Sequence, residues 1–124
     1  IKQHSVIGEN ILNKVDFKWP VSTIVRHHHE RLDGSGYPDG LSGNKIRLEA
    51  RIIAVADVVD SMSSSRAYRQ ALGLPAAIDE IVKNRGVLYE PEVVDACCQL
   101  YKKHKTDKKL RFKNLEFKKI ALNN

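Results

Sequence analysis

Apolar residues recur along this chain at three- and four-residue intervals with short polar breaks between them, the period of helices that bury one side. Val6, Ile7, Ile11, Leu12 and Val15 mark a first helix over residues 3–15, which Trp19-Pro20 interrupts. Pro20 suits the first turn of a second helix, where Val21, Ile24, Val25 and His28 keep the spacing and an end is expected near Glu30. Between residues 33 and 46, Gly34, Gly36, Pro38, Gly40 and Gly43 exclude regular structure and predict a folded-back loop. From Leu48 to Met62 the chain is almost wholly apolar, and periodicity alone fits either a buried strand or a buried helix. Its length, and the lack of other strand candidates, favour helix. After Ser63-Ser64-Ser65, Pro75 opens a segment with Ala76, Ala77, Ile78, Ile81 and Val82, for which Gly86 is the expected C-cap. Pro91 then opens a final amphipathic helix carrying Val93, Val94, Ala96, Cys97, Leu100 and Tyr101. The pattern predicts an all-α fold, a bundle of about five helices with one long Gly/Pro loop and no internal repeat.

A chain of 124 residues holds one small domain with a single core. No apolar run approaches the roughly 20 residues that span a bilayer, and no basic start followed by an apolar stretch marks a secretory signal. Cys97 and Cys98 are neighbours, which cannot staple distant segments and fits a reducing compartment, so a cytoplasmic location is expected. The same spacing excludes a Cys-x-x-Cys zinc knuckle. The net charge of +6 lies largely after Tyr101, in Lys102, Lys103, Lys105, Lys108, Lys109, Arg111, Lys113, Lys118 and Lys119. This divides the chain into a domain over 1–104 and a basic tail over 105–124, expected to be solvated and partly disordered. Nucleic-acid binding ranks last, because no recognition-helix pattern accompanies the charge. Ile1 to Gly8 read as the interior of an element, so a piece of a larger domain is expected.

Three consecutive histidines, His27-His28-His29, carry the clearest chemistry. Successive helical positions point about 100° apart, so they cannot all face one way. His28 lies on the apolar stripe, His29 on its flank and His27 toward the other side, which lets two of them face one interior site. Imidazole binds iron-, manganese- or zinc-like ions, and carboxylates complete a harder site. A single hydrogen-bonded core histidine is the ordinary alternative, which a run of three weakens. An artificial tag would not continue into Glu30-Arg31-Leu32-Asp33-Gly34. Asp57 interrupts the apolar run and is expected to be buried, hence protonated, paired with Arg51 or Arg66, or bound to metal. Asp60, a turn later, suits a solvated or locally hydrogen-bonded role, and His4 alone reads as an exposed first-turn residue. Tyr37 sits on a tight loop where it either stacks on a base or packs as a lid. Arg66 and Arg69 match phosphate bidentately, with plain surface solvation as the alternative.

His28-His29-Glu30, Asp33-Gly34-x-Gly36-Tyr37-Pro38, Ala50-Arg51-Ile52 through Ala56-Asp57, and Arg66-x-Tyr68-Arg69 occur in this order. In that order they resemble the HD-GYP family, and the likeness extends from about His4 to Leu100. The resemblance implies an HD-domain-like helical fold and metal-dependent hydrolysis of the bacterial messenger cyclic di-GMP, with divalent ions, iron or manganese, as cofactors. It implies that His4, followed by Ser5-Val6-Ile7-Gly8, joins His28 and His29 as ligands of one ion and that Asp57 serves its neighbour. Tyr37, Pro38, Arg66 and Arg69 would contact the cyclic dinucleotide. The family's adjacent His-Asp pair, and a lysine shortly after it, have no counterpart in this sequence. The expectation is therefore a phosphodiesterase whose present chain is inactive alone. The alternative is a degenerate, noncatalytic HD-GYP module that binds diguanylate-cyclase or receiver domains. An incomplete bundle would also expose apolar stripes on the first and third helices, so a homodimer is expected.

Overall fold

A computed structural model describes residues 2–64 and 72–123, with side chains to residue 107. Helix α1 is His4–Leu12, α2 Val21–His27, α3 Leu48–Ser63, α4 Leu74–Lys83 and α5 Pro91–Asn123, with a 3₁₀ turn at Gly43–Lys45. Among the described residues the fold is all-α, its only extended pairing an isolated bridge between Arg85 and Tyr89. Residues 1–94 form one compact unit and 95–124 a second. No helix among the described residues is long and apolar enough to cross a membrane.

Within the first unit α1 packs on α2, α2 meets α3, and α3 packs on α4. The main core lies on the α3–α4 side: Ala50, Ala54, Val55 and Val58 from α3, and Ala77, Ile78 and Ile81 from α4, are buried with Ile46 and Tyr89. Their three- and four-residue spacing puts each set on one helix face, and the alanines let the two backbones approach. The closeness of α1 and α2 has a similar cause. A β-carbon at Gly8 would stand 2.9 Å from Val25 Cγ1, so only a glycine keeps that contact without a shift.

Several boundaries differ from the sequence pattern. α1 stops at Leu12, and Lys14 and Val15 close with tighter i→i+3 bonds to Ile11 and Leu12. Pro20 stands at the N-cap of α2, and that helix ends at His27 with His28 as its C-cap, short of Glu30. The chain turns there because Glu30 donates its N–H back to His27 and sends its side chain inward. α4 closes on Asn84, whose side-chain amide donates to the Glu80 carbonyl oxygen and to Glu80 Oε1; Gly86 falls beyond the cap, in the following turn. α5 does not stop near Tyr101. It continues to Asn123 through the basic segment expected as a partly disordered tail, a stretch rich in Lys, with three Leu, and free of Gly and Pro, all of which favours helix.

The apolar run of α3 is helical but not wholly buried. Leu48, Ile52 and Ile53 are exposed, as are Ile7 and Ile11 on α1 and Val15 just after it.

Candidate metal centre

The approach of α1 to α2 brings the first residue of one helix to the last turn of the other. His4, His28 and His29 converge there, each offering a ring nitrogen within 4.8 Å of the other two. The ring centroids of His28 and His29 are 4.0 Å apart, and those of His4 and His29 are 4.5 Å apart. His28 Nδ1 lies 2.5 Å from the Val25 carbonyl oxygen. A carbonyl only accepts, so Nδ1 carries the proton and Nε2 keeps its lone pair, the arrangement that orients a ligating imidazole. His4 Nε2 and His29 Nε2 are 2.7 Å apart, close enough that one must donate to the other. Burial, then the neighbouring His28 and His4, push the His29 pKa down to about 4, against an opposing pull from Asp57. At neutral pH His29 is therefore uncharged, the form a metal requires. Nitrogens bound to one ion at about 2.0–2.1 Å stand roughly 3 Å apart. The three imidazoles therefore fit a divalent cation with small adjustments.

Asp57 stands beside this group. Its Oδ2 lies 4.0 Å from His29 Nδ1, and its side chain is 39% exposed, so it is not the buried carboxylate its apolar neighbours suggested. The reason is the orientation of α3: Ala54, Val55 and Val58 face the core, whereas Asp57 shares the half-open side with Ile53. Arg51 is not its partner. Arg51 NH1 pairs with Glu90 Oε2 at 2.5 Å, and its Nε donates to the Ile46 carbonyl at 3.0 Å. Arg66, the other expected partner, lies outside the described residues, as do Tyr68 and Arg69. Asp60 is exposed near the end of α3, with Ser64 Oγ 3.4 Å from its Oδ1.

The glycine-rich loop folds directly onto the ligand segment. A β-carbon at Gly36 would lie 2.3 Å from the His29 carbonyl oxygen and 2.6 Å from Arg31 N and Glu30 Cα, so the two backbones touch. Tyr37 donates its N–H to the His29 carbonyl at 3.3 Å and stacks its ring on the His29 imidazole, with centroids 5.0 Å apart. The Tyr37-Pro38 peptide bond is cis. Glu30, only 2% exposed, accepts the backbone N–H of Asp39 at 2.6 Å and of Leu41 at 2.9 Å, one on each carboxylate oxygen. From the rim, Arg26 donates to both Asp39 oxygens at 2.9 and 3.0 Å and also to Glu9 at 2.7 Å. His27 Nε2 meets Asp39 Oδ2 at 2.8 Å. Arg26, and secondarily His27, hold the Asp39 carboxyl well below the usual carboxylate range.

His27, Glu30 and Asp39 form a second group of close donors. Both Glu30 oxygens already accept amides, and the Arg26 guanidinium supplies positive charge to Asp39. That group is an ion-pair clasp, not a second cation cage. His27, the last residue of α2, thus serves the clasp, while His28 at the C-cap and His29 beyond it serve the cluster. Glu30, Asp39 and the Glu9–Arg26 pair did not stand out in the sequence. The available signal was an acidic residue immediately before, and another inside, a glycine-rich loop.

The family model described as HD domain matches residues 1–93. This chain belongs to the HD domain family. Over 98 residues the HD domain is 47% identical to the cyclic di-GMP phosphodiesterase response regulator RpfG of Xanthomonas campestris, a match covering 77% of this chain and 26% of that protein. It is 43% identical over 106 residues to a cyclic di-GMP phosphodiesterase of Thermotoga maritima, covering 82% and 28%. The 3'3'-cGAMP-specific phosphodiesterase 3 of Vibrio cholerae is 38% identical over 95 residues, covering 74% and 20%. The chain thus spans about a quarter of the length of the curated relatives it matches. A crystal structure of a cyclic GMP-AMP-specific phosphodiesterase of Vibrio cholerae shares the fold, with a TM-score of 0.67 at 24% identity over 82% of this chain and 23% of that one.

Proposed function

We propose that this HD domain supplies part of a metal-dependent phosphodiesterase site acting on cyclic di-GMP. The observation that carries the reading is the His4–His28–His29 cluster, three imidazoles within ligand reach with one tautomer already set by Val25. Two of the relatives most similar in sequence are named cyclic di-GMP phosphodiesterases, which supports this dinucleotide as the substrate. A divalent ion held there, iron or manganese given the mixed imidazole and carboxylate donors, would polarise a phosphoryl oxygen and acidify a water molecule. His4, His28 and His29 would hold it, with Asp57 adding negative charge from 4.0 Å beside His29. Tyr37 and Pro38 form the wall next to the ligands, and Arg66 and Arg69 would grip phosphate. We assign residues 1–104 to the domain and 105–124 to a basic extension, and place the protein in the cytoplasm, where the free thiols of Cys97 and Cys98 would persist.

The test is turnover of cyclic di-GMP by the natural polypeptide that carries this domain. With manganese or iron added, the dinucleotide should be linearised or cut to mononucleotides, and chelation should stop the reaction. Absence of product under both metals sinks the catalytic reading. A noncatalytic module that binds diguanylate-cyclase or receiver domains is the second reading. It is favoured by one observation, that the Gly36-Tyr37-Pro38 loop is already folded against residues 29–31, with Tyr37 stacked on His29, as a preformed surface.

We also propose that the isolated chain dimerises. Ile7 and Ile11 on α1, Val15 beyond it, and Leu48, Ile52 and Ile53 on α3 leave apolar surface in water, which favours self-association. Light scattering should return twice the 14.0 kDa chain mass, and a monomer mass at working concentration would contradict the proposal.

A further inference from the structure

We infer that Glu30 is a positioning residue for His29: its buried carboxylate fastens the loop that presses Tyr37 onto the His29 ring. A carboxylate that is 2% exposed is expensive unless its lone pairs are filled. Here the Asp39 and Leu41 amides fill one on each oxygen. Those two amides belong to the far limb of the loop, while Glu30 itself follows His29 in sequence, so the bonds close residues 30–41 on themselves. Closure forces the near limb, Gly36-Tyr37, against the backbone of residues 29–31, where no β-carbon would fit at Gly36. Tyr37 then has one place for its ring, parallel to His29 within 25°.

The clasp at the rim works in the same direction. Asp39 is held twice, by its N–H on Glu30 and by its carboxylate on Arg26 and His27. The consequence falls on His29 because an imidazole with free χ angles does not aim Nε2 at the other two nitrogens unless something restrains its ring. Tyr37 stacks on it and His28 tilts against it, with centroids 4.0 Å away. Glu30 thus acts on the site at one remove, through backbone amides and an aromatic ring, without offering an oxygen to a cation.

This inference rests on the reading of His4, His28 and His29 as a ligand set, and the experiment separates the two. The ring-proton resonances of His29, assigned by NMR in the metal-free chain, report stacking by Tyr37 directly. Glu30→Gln keeps the shape but turns an NH2 toward one of the two amides. It should move the His29 resonances toward those of Tyr37→Ala, whereas Tyr37→Phe should leave them in place. The double variant E30Q/Y37A should match Tyr37→Ala alone, since both act through one contact. Unmoved His29 resonances in Glu30→Gln, or shifts that add in the double variant, would overturn the inference. If Glu30→Gln does not fold, Leu41→Pro removes one of the two amides that Glu30 accepts, and it must displace the same resonances for the inference to stand. A parallel manganese titration should show affinity falling by roughly tenfold in Glu30→Gln and Tyr37→Ala and holding in Tyr37→Phe. Displaced His29 resonances in a chain that takes up no manganese would support the positioning role and remove the metal reading instead.

Discussion

Replacing His29 by alanine is expected to weaken manganese binding by about a hundredfold. Four-ligand structural sites gain about 10–16 kcal/mol from their metal, roughly 3 kcal/mol per ligand, and each 1.4 kcal/mol is a power of ten. His29 is the imidazole with the most at stake. It lies 2.7 Å from His4 Nε2, 4.0 Å by ring centroid from His28 and next to Asp57, so its loss removes the ring nearest to every other donor of the group. Its lowered pKa keeps the ring uncharged throughout the neutral range. Isothermal titration of the purified chain measures the effect. His104→Ala is the control, since that residue is exposed on α5 and belongs to neither donor group. Equal affinities for wild type, His29→Ala and His104→Ala would mean that any bound metal sits elsewhere.

Gly36→Ala should be the most damaging of the glycine-to-alanine changes. Its added carbon would meet the His29 oxygen at 2.3 Å and two further backbone atoms at 2.6 Å, none of which can rotate aside. Gly36 is not among the positive-φ glycines, so the demand is for space and not for a left-handed backbone. Overpacking against fixed atoms costs about 3 kcal/mol or more, and a domain of this size loses about 4–8 °C of melting temperature for each kcal/mol. A drop of more than ten degrees is therefore expected by thermal unfolding. Gly43→Ala provides the contrast. It sits at φ +52° with open space around it, so only the left-handed penalty of about 1 kcal/mol applies. Similar melting temperatures for the two variants would show that the loop does not press on residues 29–31.

Why some of this was legible in the sequence follows from the range of the forces involved. Pro75 and Pro91 mark helix starts because they restrict their own backbone, and the length of the 48–62 run, with no other strand to pair with, favoured helix. The division of the three histidines, two to one side and one to the other, agrees with helical spacing although α2 ends at His27 and His29 lies beyond its C-cap. The end of α2 did not, because it is decided by where Glu30 finds its two amides, and these come from residues 39 and 41. Asp57 was misjudged for a related reason. An apolar run suggests burial at every position, but Ile52 and Ile53 stand in water on α3, and Asp57 shares the half-open side of Ile53. Arg51 illustrates the limit of pairing by proximity in sequence. Its partner is Glu90, 39 residues away and outside any helical register.

Glu9 and His4 ride on the same short helix, and Arg26 ties Glu9 to Asp39 in the loop. Helix α1 therefore cannot swing away and leave the rest of the site standing. Its departure would withdraw a histidine from the cluster and a carboxylate from the guanidinium that steadies the loop. Amide hydrogen exchange should reveal this as a single opening event, in which α1 and the 36–41 limb lose protection together, with one free energy. Assembly of the centre would then be a cooperative equilibrium that anything gripping α1, in the same molecule or another, could switch as a whole.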